Sequence, residues 1–326
     1  AAGPAADREG LLAPAGGGDR LAGLRGVLEA PGAGAPVILN WIWELAPALG
    51  PALAADVDKV VAPGAPVVRD LFGIQSCDSS GPSPAPWLGR SRFGPAAAGP
   101  TRPGIHLLGA ARIWLAEGVR LEPGSVLDAT AGPVVLDRSV RVMPHAFLEG
   151  PLYVGPGSVV KAGARLGPET SVGAVCKVAG EVAESLLCDF SNKQHDGFLG
   201  HAVLGSWTNL GAGTTCSDLK NNYGPVRVDL GGGPRDTGQR FVGLLMGEHS
   251  KSAIGTLFNT GSCVGFSCNV FGTGFPPQLL PSFAWGSGPE PYAVEQAIAT
   301  ARVVMGRRGC RFTAAHENLF RALAGA

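Results

Sequence analysis

The chain has 326 residues, 45% of them hydrophobic and 16% charged, which is apolar enough to bury a core and excludes global disorder. Its 26 basic residues match its 26 acidic ones, so no net field draws it to nucleic acid or to an anionic membrane, and no apolar run reaches membrane-spanning length. The 50 glycines and 27 prolines ask for tight turns rather than long helices.

Residues 1 to about 36 are rich in Ala, Gly and Pro, show no sustained periodicity and read as loop, without a basic-then-apolar leader pattern. A helix is predicted near residues 40–57, capped by Asn40 and carrying Leu45, Leu49 and Leu53 on one stripe. Trp41, Trp43 and Trp87 read as anchors for this segment. The stretch from Ser76 to Pro103 is rich in Pro, Ser and Gly and reads as linker, so residues 1–103 form an irregular N-terminal part.

A period of six then takes over. Leu136, Val142, Leu148, Val154, Val160, Leu166, Val172 and Val178 recur every sixth residue without a miss. Shorter runs flank them, with Leu115, Leu121 and Leu127 before, Phe198, Leu204 and Leu210 after, and Ile254, Thr260 and Phe266 last. Six matches neither 3.6 nor a heptad, and Val with Gly at this density disfavours helix. Each hexapeptide is read as one short strand and a turn, with its aliphatic anchor inward. Three of them close a coil of about eighteen residues, and the coils stack at ~4.8 Å. The predicted fold over 104–285 is an all-β solenoid, a left-handed parallel β-helix of hexapeptide repeats.

Residues 286–326 change pattern again. Val294, Ala297, Ile298, Ala301 and Met305 fall on one helical face, and Thr313 is placed to cap a second helix carrying Leu319, Phe320 and Leu323. This gives the solenoid a C-terminal helical tail. The seven cysteines include no C-x-x-C pair and read as reduced thiols of a cytoplasmic protein.

Polar and titratable side chains concentrate in Ser191-Asn192-Lys193-Gln194-His195-Asp196-Gly197-Phe198-Leu199-Gly200, in Asn209-Leu210-Gly211-Ala212-Gly213-Thr214 and in the segment from Ser217 to Tyr223. His195 suits a general base, because an imidazole titrates near neutral pH. Asn209 can both donate to and accept from hydroxyls, and Lys177, Lys193 and Lys220 can meet a phosphate. Gly211, Ala212 and Gly213 leave room for an extended ligand against the backbone.

These motifs resemble the acetyltransferase half of the bifunctional glucosamine-1-phosphate acetyltransferase/N-acetylglucosamine-1-phosphate uridylyltransferases, and above all their shorter relatives described as sugar nucleotidyltransferases. The likeness covers residues 100 to 285, and residues 40–103 resemble only the end of the nucleotidyltransferase half. The resemblance implies an N-acetyltransferase with acetyl-CoA as co-substrate, an amino-sugar 1-phosphate as acceptor, and a homotrimer sharing its sites between neighbours. It puts the catalytic base at His195, an acceptor-binding asparagine at Asn209 and an acetyl-CoA contact at the Ala212 backbone; together with the residues read above, the candidate acceptor set is Lys177, Asn192, Lys193, Asn209 and Asp218, and the candidate acyl-donor set is Gly211, Ala212, Gly213 and Thr256. It implies no metal. Nucleotidyl transfer is not expected, since residues 1–100 hold no Gly-rich phosphate loop.

Three positions depart from the family pattern. Phe198 stands for a tyrosine, Asp218 for an asparagine, and Gly167 for a phosphate-binding arginine. They open a second reading, a non-catalytic module that binds a sugar nucleotide or acyl-CoA and trimerises. A third is a zinc-dependent β-helical carbonic anhydrase-like protein, with His106, His145, His201 and His249 as available ligands.

Overall fold

A computed structural model describes residues 26–28, 37–39, 42–44, 46–53, 93–96, 103–286 and 290–325. From residue 103 the chain winds into a parallel β-solenoid with three faces, the hexapeptide β-helix that the spacing predicts. Face I is a six-stranded sheet from His106–Leu108 to Phe198–Gly200. Face II is the ten-stranded sheet, and face III begins as five strands from Arg120–Leu121 to Asn192–Lys193. The chain visits them in the order III, I, II. Val134 pairs with Leu152 and Leu152 with Thr170, so one coil takes eighteen residues.

The interior is a column of one side chain per face per coil. All eight strictly spaced anchors from Leu136 to Val178 are fully buried in one cluster. The frame then slips. Val182, Leu187, Lys193, Leu199, Leu204, Leu210 and Cys216 take the inward positions, because coils shorten where Val172 pairs with Leu187. Leu199, not Phe198, therefore faces the core, paired in register with Val182. In the last coils the inward residues are Met246, Ser252, Phe258, Val264 and Val270. Ile254, read as an anchor, is 82% exposed at a corner: the six-residue period is right there, but its phase is wrong.

Two additions cover outward faces. Ile42–Glu44 is a short 3-10 turn and residues 46–53 form a helix, α1. Trp43 and Leu49 pack on the outside of face II against Leu186, Val203, Leu245 and Cys263. Val226, Val228 and Val242 join that cluster from an insertion whose hairpin pairs Arg227–Val228 with Arg235–Asp236. Asn40, Leu45, Trp41 and Trp87 lie outside the described residues. Within the stretches read as loop and linker, Gly26–Leu28 pairs antiparallel with Val37–Leu39, and Phe93–Pro95 pairs antiparallel with Ile113–Ala116, covering an open sheet edge.

The tail forms α2 (Val294–Gly306) and α3 (Ala314–Ala324). Ala297, Ile298, Ala301 and Met305 are buried, as the stripe predicts. Thr313 caps α3 in a capping box with His316, but only Phe320 is buried there, while Leu319 and Leu323 remain exposed. Cys176, Cys188, Cys216, Cys263 and Cys268 are free thiols, whereas Cys310 is disulfide-bonded, a departure from the all-reduced expectation.

Leu166→Ala should lower unfolding free energy by about 2–5 kcal/mol, because the solenoid interior cannot collapse around a missing isopropyl group. Val303→Ala, on the exposed side of α2, should change it by less than about 0.5 kcal/mol. Denaturant unfolding followed by circular dichroism checks both, and equal losses would contradict the packing described.

Candidate active site

Face III carries a polar ladder. Lys177, Asn192, Asn209, Lys251, Asn269 and Trp285 pair in register on successive coils. They point outward because the residues after them, Val178, Lys193, Leu210, Ser252 and Val270, are buried inside. Three predicted acceptor residues, Lys177, Asn192 and Asn209, thus share one face. Lys251 and Asn269 extend the ladder and were not singled out from sequence, since neither sits in a distinctive motif. Lys251 donates to the His249 carbonyl at 2.9 Å, and burial lowers its pKa.

The corner between faces III and I gathers the other candidates. His195 is exposed there, in the bend between Asn192–Lys193 and Phe198–Gly200. The next coil turns the same corner with Gly211, Ala212 and Gly213, and the coil after that with residues 253–256. The Gly255 amide donates to the Ala212 carbonyl at 2.7 Å, locking the two turns together. Thr256 Oγ1 donates to the Ala253 carbonyl at 2.8 Å. Gly213 and Gly255 hold φ of 72° and 71°, and a Cβ added at Gly255 would meet no atom of a described residue within 4 Å, whereas one at Gly211 would meet the Ala253 backbone at 2.4 Å.

Lys193 behaves otherwise than a ligand-facing lysine. It occupies an inward position between Leu187 and Leu199 and is 2% exposed. Its ammonium donates to the Ala179 carbonyl at 3.2 Å and to the His195 carbonyl, so it braces the bend that presents His195. Burial lowers its pKa to about 8, against the opposing pull of Asp196.

Asp218 lies one corner further along, between faces I and II, in a cluster that the sequence did not reveal. His201 Nδ1 is 2.8 Å from Asp218 Oδ2, its Nε2 is 3.0 Å from Glu184 Oε2, and Phe241 stacks on the ring at 4.9 Å. Burial disfavours the imidazolium, but the two hydrogen-bonded carboxylates outweigh it and raise the pKa to about 9. His201 is therefore a cation at neutral pH rather than a base. Glu184 and His201 follow strands that pair in register, so they stack one coil apart, which their separation in sequence does not announce. Of the histidines weighed as zinc ligands, His249 is buried among Trp207, Phe266 and Phe320, and its pKa falls to about 3. Among the described residues the one group able to hold a metal ion is Glu184, His201 and Asp218.

No family model matches the chain. A protein named bifunctional protein GlmU from Synechococcus sp. (strain CC9311) is 33% identical over 119 residues, 36% of this chain and 24% of that protein. A protein of the same name from Anaeromyxobacter dehalogenans (strain 2CP-1 / ATCC BAA-258) is 33% identical over 136 residues, 40% of this chain and 26% of the relative. A bifunctional sugar-1-phosphate nucleotidylyltransferase/acetyltransferase from Sulfurisphaera tokodaii is 27% identical over 117 residues, 36% of this chain and 28% of the relative. The chain resembles these bifunctional proteins. It spans about a quarter of their length. Among solved structures, that of Arabidopsis UDP-N-acetylglucosamine acyltransferase covers 64% of this chain and 78% of its own, with 12% identity and a TM-score of 0.37.

The His201 cluster makes stability depend on pH with a definite sign. Its folded pKa near 9 lies above the ordinary 6.5, so its contribution is complete below about pH 6.5 and disappears as pH rises through about 9. His201→Gln should therefore destabilise the protein at pH 6.5 by up to a few kcal/mol, at ~1.4 kcal/mol per pKa unit, and by much less at pH 10. Thermal unfolding of both proteins across that range checks it, and a mutational difference that does not vary with pH would contradict the charged cluster.

Proposed function

We propose that the chain is an acyltransferase that moves the acetyl group of acetyl-CoA to the amine of an amino-sugar 1-phosphate. The observation that carries this reading is spatial. His195, the Gly211-Ala212-Gly213 turn and Thr256 succeed one another along one open corner, beside the outward column of Lys177, Asn192 and Asn209. A thioester donor lies along the glycine-lined corner, and the acceptor sugar meets the asparagines and the lysine of face III. The amine attacks the thioester carbonyl, its proton passes to His195, and the carbon–sulfur bond breaks to leave the thiol and an amide. Lys193 takes part only by holding the His195 bend. Asp218, engaged by His201, shapes the neighbouring corner rather than touching the acceptor.

The same corner supports a homotrimer. Ile254, Leu257 and Phe271 are large apolar side chains left exposed along it, a feature that fits burial against another copy of the chain. The sites then lie between copies, with the donor in contact with both. A non-catalytic binding and trimerisation module is the second reading. It is favoured by Phe198, three residues after His195, which lacks the hydroxyl of the family's tyrosine.

Thiol release from acetyl-CoA with glucosamine 1-phosphate, and with a panel of other amino-sugar phosphates, tests the proposal. His195→Ala should cut kcat by a factor of about 100 or more with the circular dichroism spectrum retained. A folded wild-type protein that binds acetyl-CoA but turns over no acceptor would establish the module instead.

A further inference from the structure

We propose that the turn joining α2 to α3 and face III together form a binding site for a phosphate group, with Lys161, Lys177, Arg307 and Arg308 as its cations and Asn192 as a neutral polar partner. The tail is docked at this place by its apolar residues. Met305 and Cys310, on either side of the turn, are buried against Ala174, Val175 and Phe190. This pins the two arginines between them beside the rungs of Lys177 and Asn192. Arg308 Nη2 donates to Asn192 Oδ1 at 3.2 Å. Lys161 follows the strand that pairs with Lys177–Val178, and its amide is bonded to the Val178 carbonyl at 2.8 Å.

Among the described residues none of these four cations forms an ion pair, although the arginines Arg141, Arg165, Arg302 and Arg321 all do. Their mutual repulsion is felt: burial, then Arg308, Lys161 and Arg307, lower the pKa of Lys177. The fold thus holds four like charges at one place, Arg307 exposed and the other three half-buried, and among the described residues no carboxylate pairs with any of them. A phosphate brings two negative charges and oxygens that accept from guanidinium forks and ammonium groups alike. The arginines come from the tail, outside the repeats, so the solenoid alone does not make this site.

The inference rests on the proposed transfer for the identity of the ligand, but not for the existence of the site. His195 follows Asn192 by three positions, at most about 11 Å of chain. A phosphate held here lies within a small ligand's length of the proposed base. It belongs either to the acceptor sugar or to the phosphorylated nucleotide of coenzyme A, and binding measurements distinguish the two. The full chain is titrated calorimetrically with glucosamine 1-phosphate, glucosamine, coenzyme A and pantetheine, as wild type, as Arg308→Gln and as Lys161→Gln/Arg307→Gln, with folding checked by circular dichroism.

The expected result is a loss of tenfold or more for one phosphate-bearing ligand in both variants, with its phosphate-free counterpart unaffected. The ligand that suffers names the source. The Lys161/Arg307 pair, half-buried and exposed respectively, keeps the test valid should Arg308→Gln disturb the turn. The proposal is overturned if neither phosphate-bearing ligand binds the wild type, or if folded variants bind both within threefold of it. Phosphate binding that is intact in a protein without turnover would overturn the transfer reading and leave this one standing.

Discussion

Each coil closes its backbone hydrogen bonds on the coil before and the coil after it, and does so only because one compact side chain per face fills the space within. The amides of Arg141, Val159, Lys177 and Asn192, one above another in this column, each donate to a carbonyl of the next coil. Hydroxyls repeat at equivalent turns to finish the work: Ser158 donates to Gly173, Ser191 to Gly205 and Ser250 to Gly265, each across one coil. A charged residue can enter this column only where backbone carbonyls receive it. Lys193 meets that condition with Ala179 and His195, which ties the most buried cation of the interior to the most distinctive surface bend.

The corners obey a second constraint. A sharp turn between faces needs one residue with positive φ, and along the corner from face II to face III that residue is Val175, Phe190, Trp207, His249, Ser267 and Phe283 in successive coils. Bulky side chains adopt this conformation at a cost. Here the rings offset it by stacking, Phe190 on Trp207 at 4.0 Å and Trp207 on His249 at 6.0 Å, and by burial under Phe320 of α3. The aromatic corner is therefore the dock for the tail, and docking carries Arg307 and Arg308 to face III. On the corner from face III to face I the same backbone demand is met by His145 and then by glycine at 163, 180, 213 and 255, and the buried residues of the tail helices pack elsewhere, on the aromatic corner. One corner is closed by packing and the other left open, so the candidate chemistry falls on the open one.

Much of this was legible in the residues. The strict spacing from Leu136 to Val178 determined a three-sided coil, because only an inward side chain at every sixth position makes that pattern necessary. The stripe through Ala297, Ile298, Ala301 and Met305 and the cap at Thr313 determined the tail helices. The motif around His195 and the glycine turn at 211–213 marked two bends that the coils bring to one corner. A period says nothing about its own phase once coils shorten, however, so Phe198 and Ile254 were assigned to the interior that Leu199 and Ser252 occupy.

What only the tertiary structure decided are the meetings across coils. The clasp of Glu184, His201 and Asp218 joins residues 17 apart along the chain from His201 on either side, and they touch because consecutive coils stack them at one corner. Arg308 reaches Asn192 across 116 residues, which no local pattern encodes. The direction of the Lys193 side chain was decided by strand register alone, since a shift of one residue turns every side chain to the opposite face. Local spacing determines the coil, and stacking decides which residues the coil brings together.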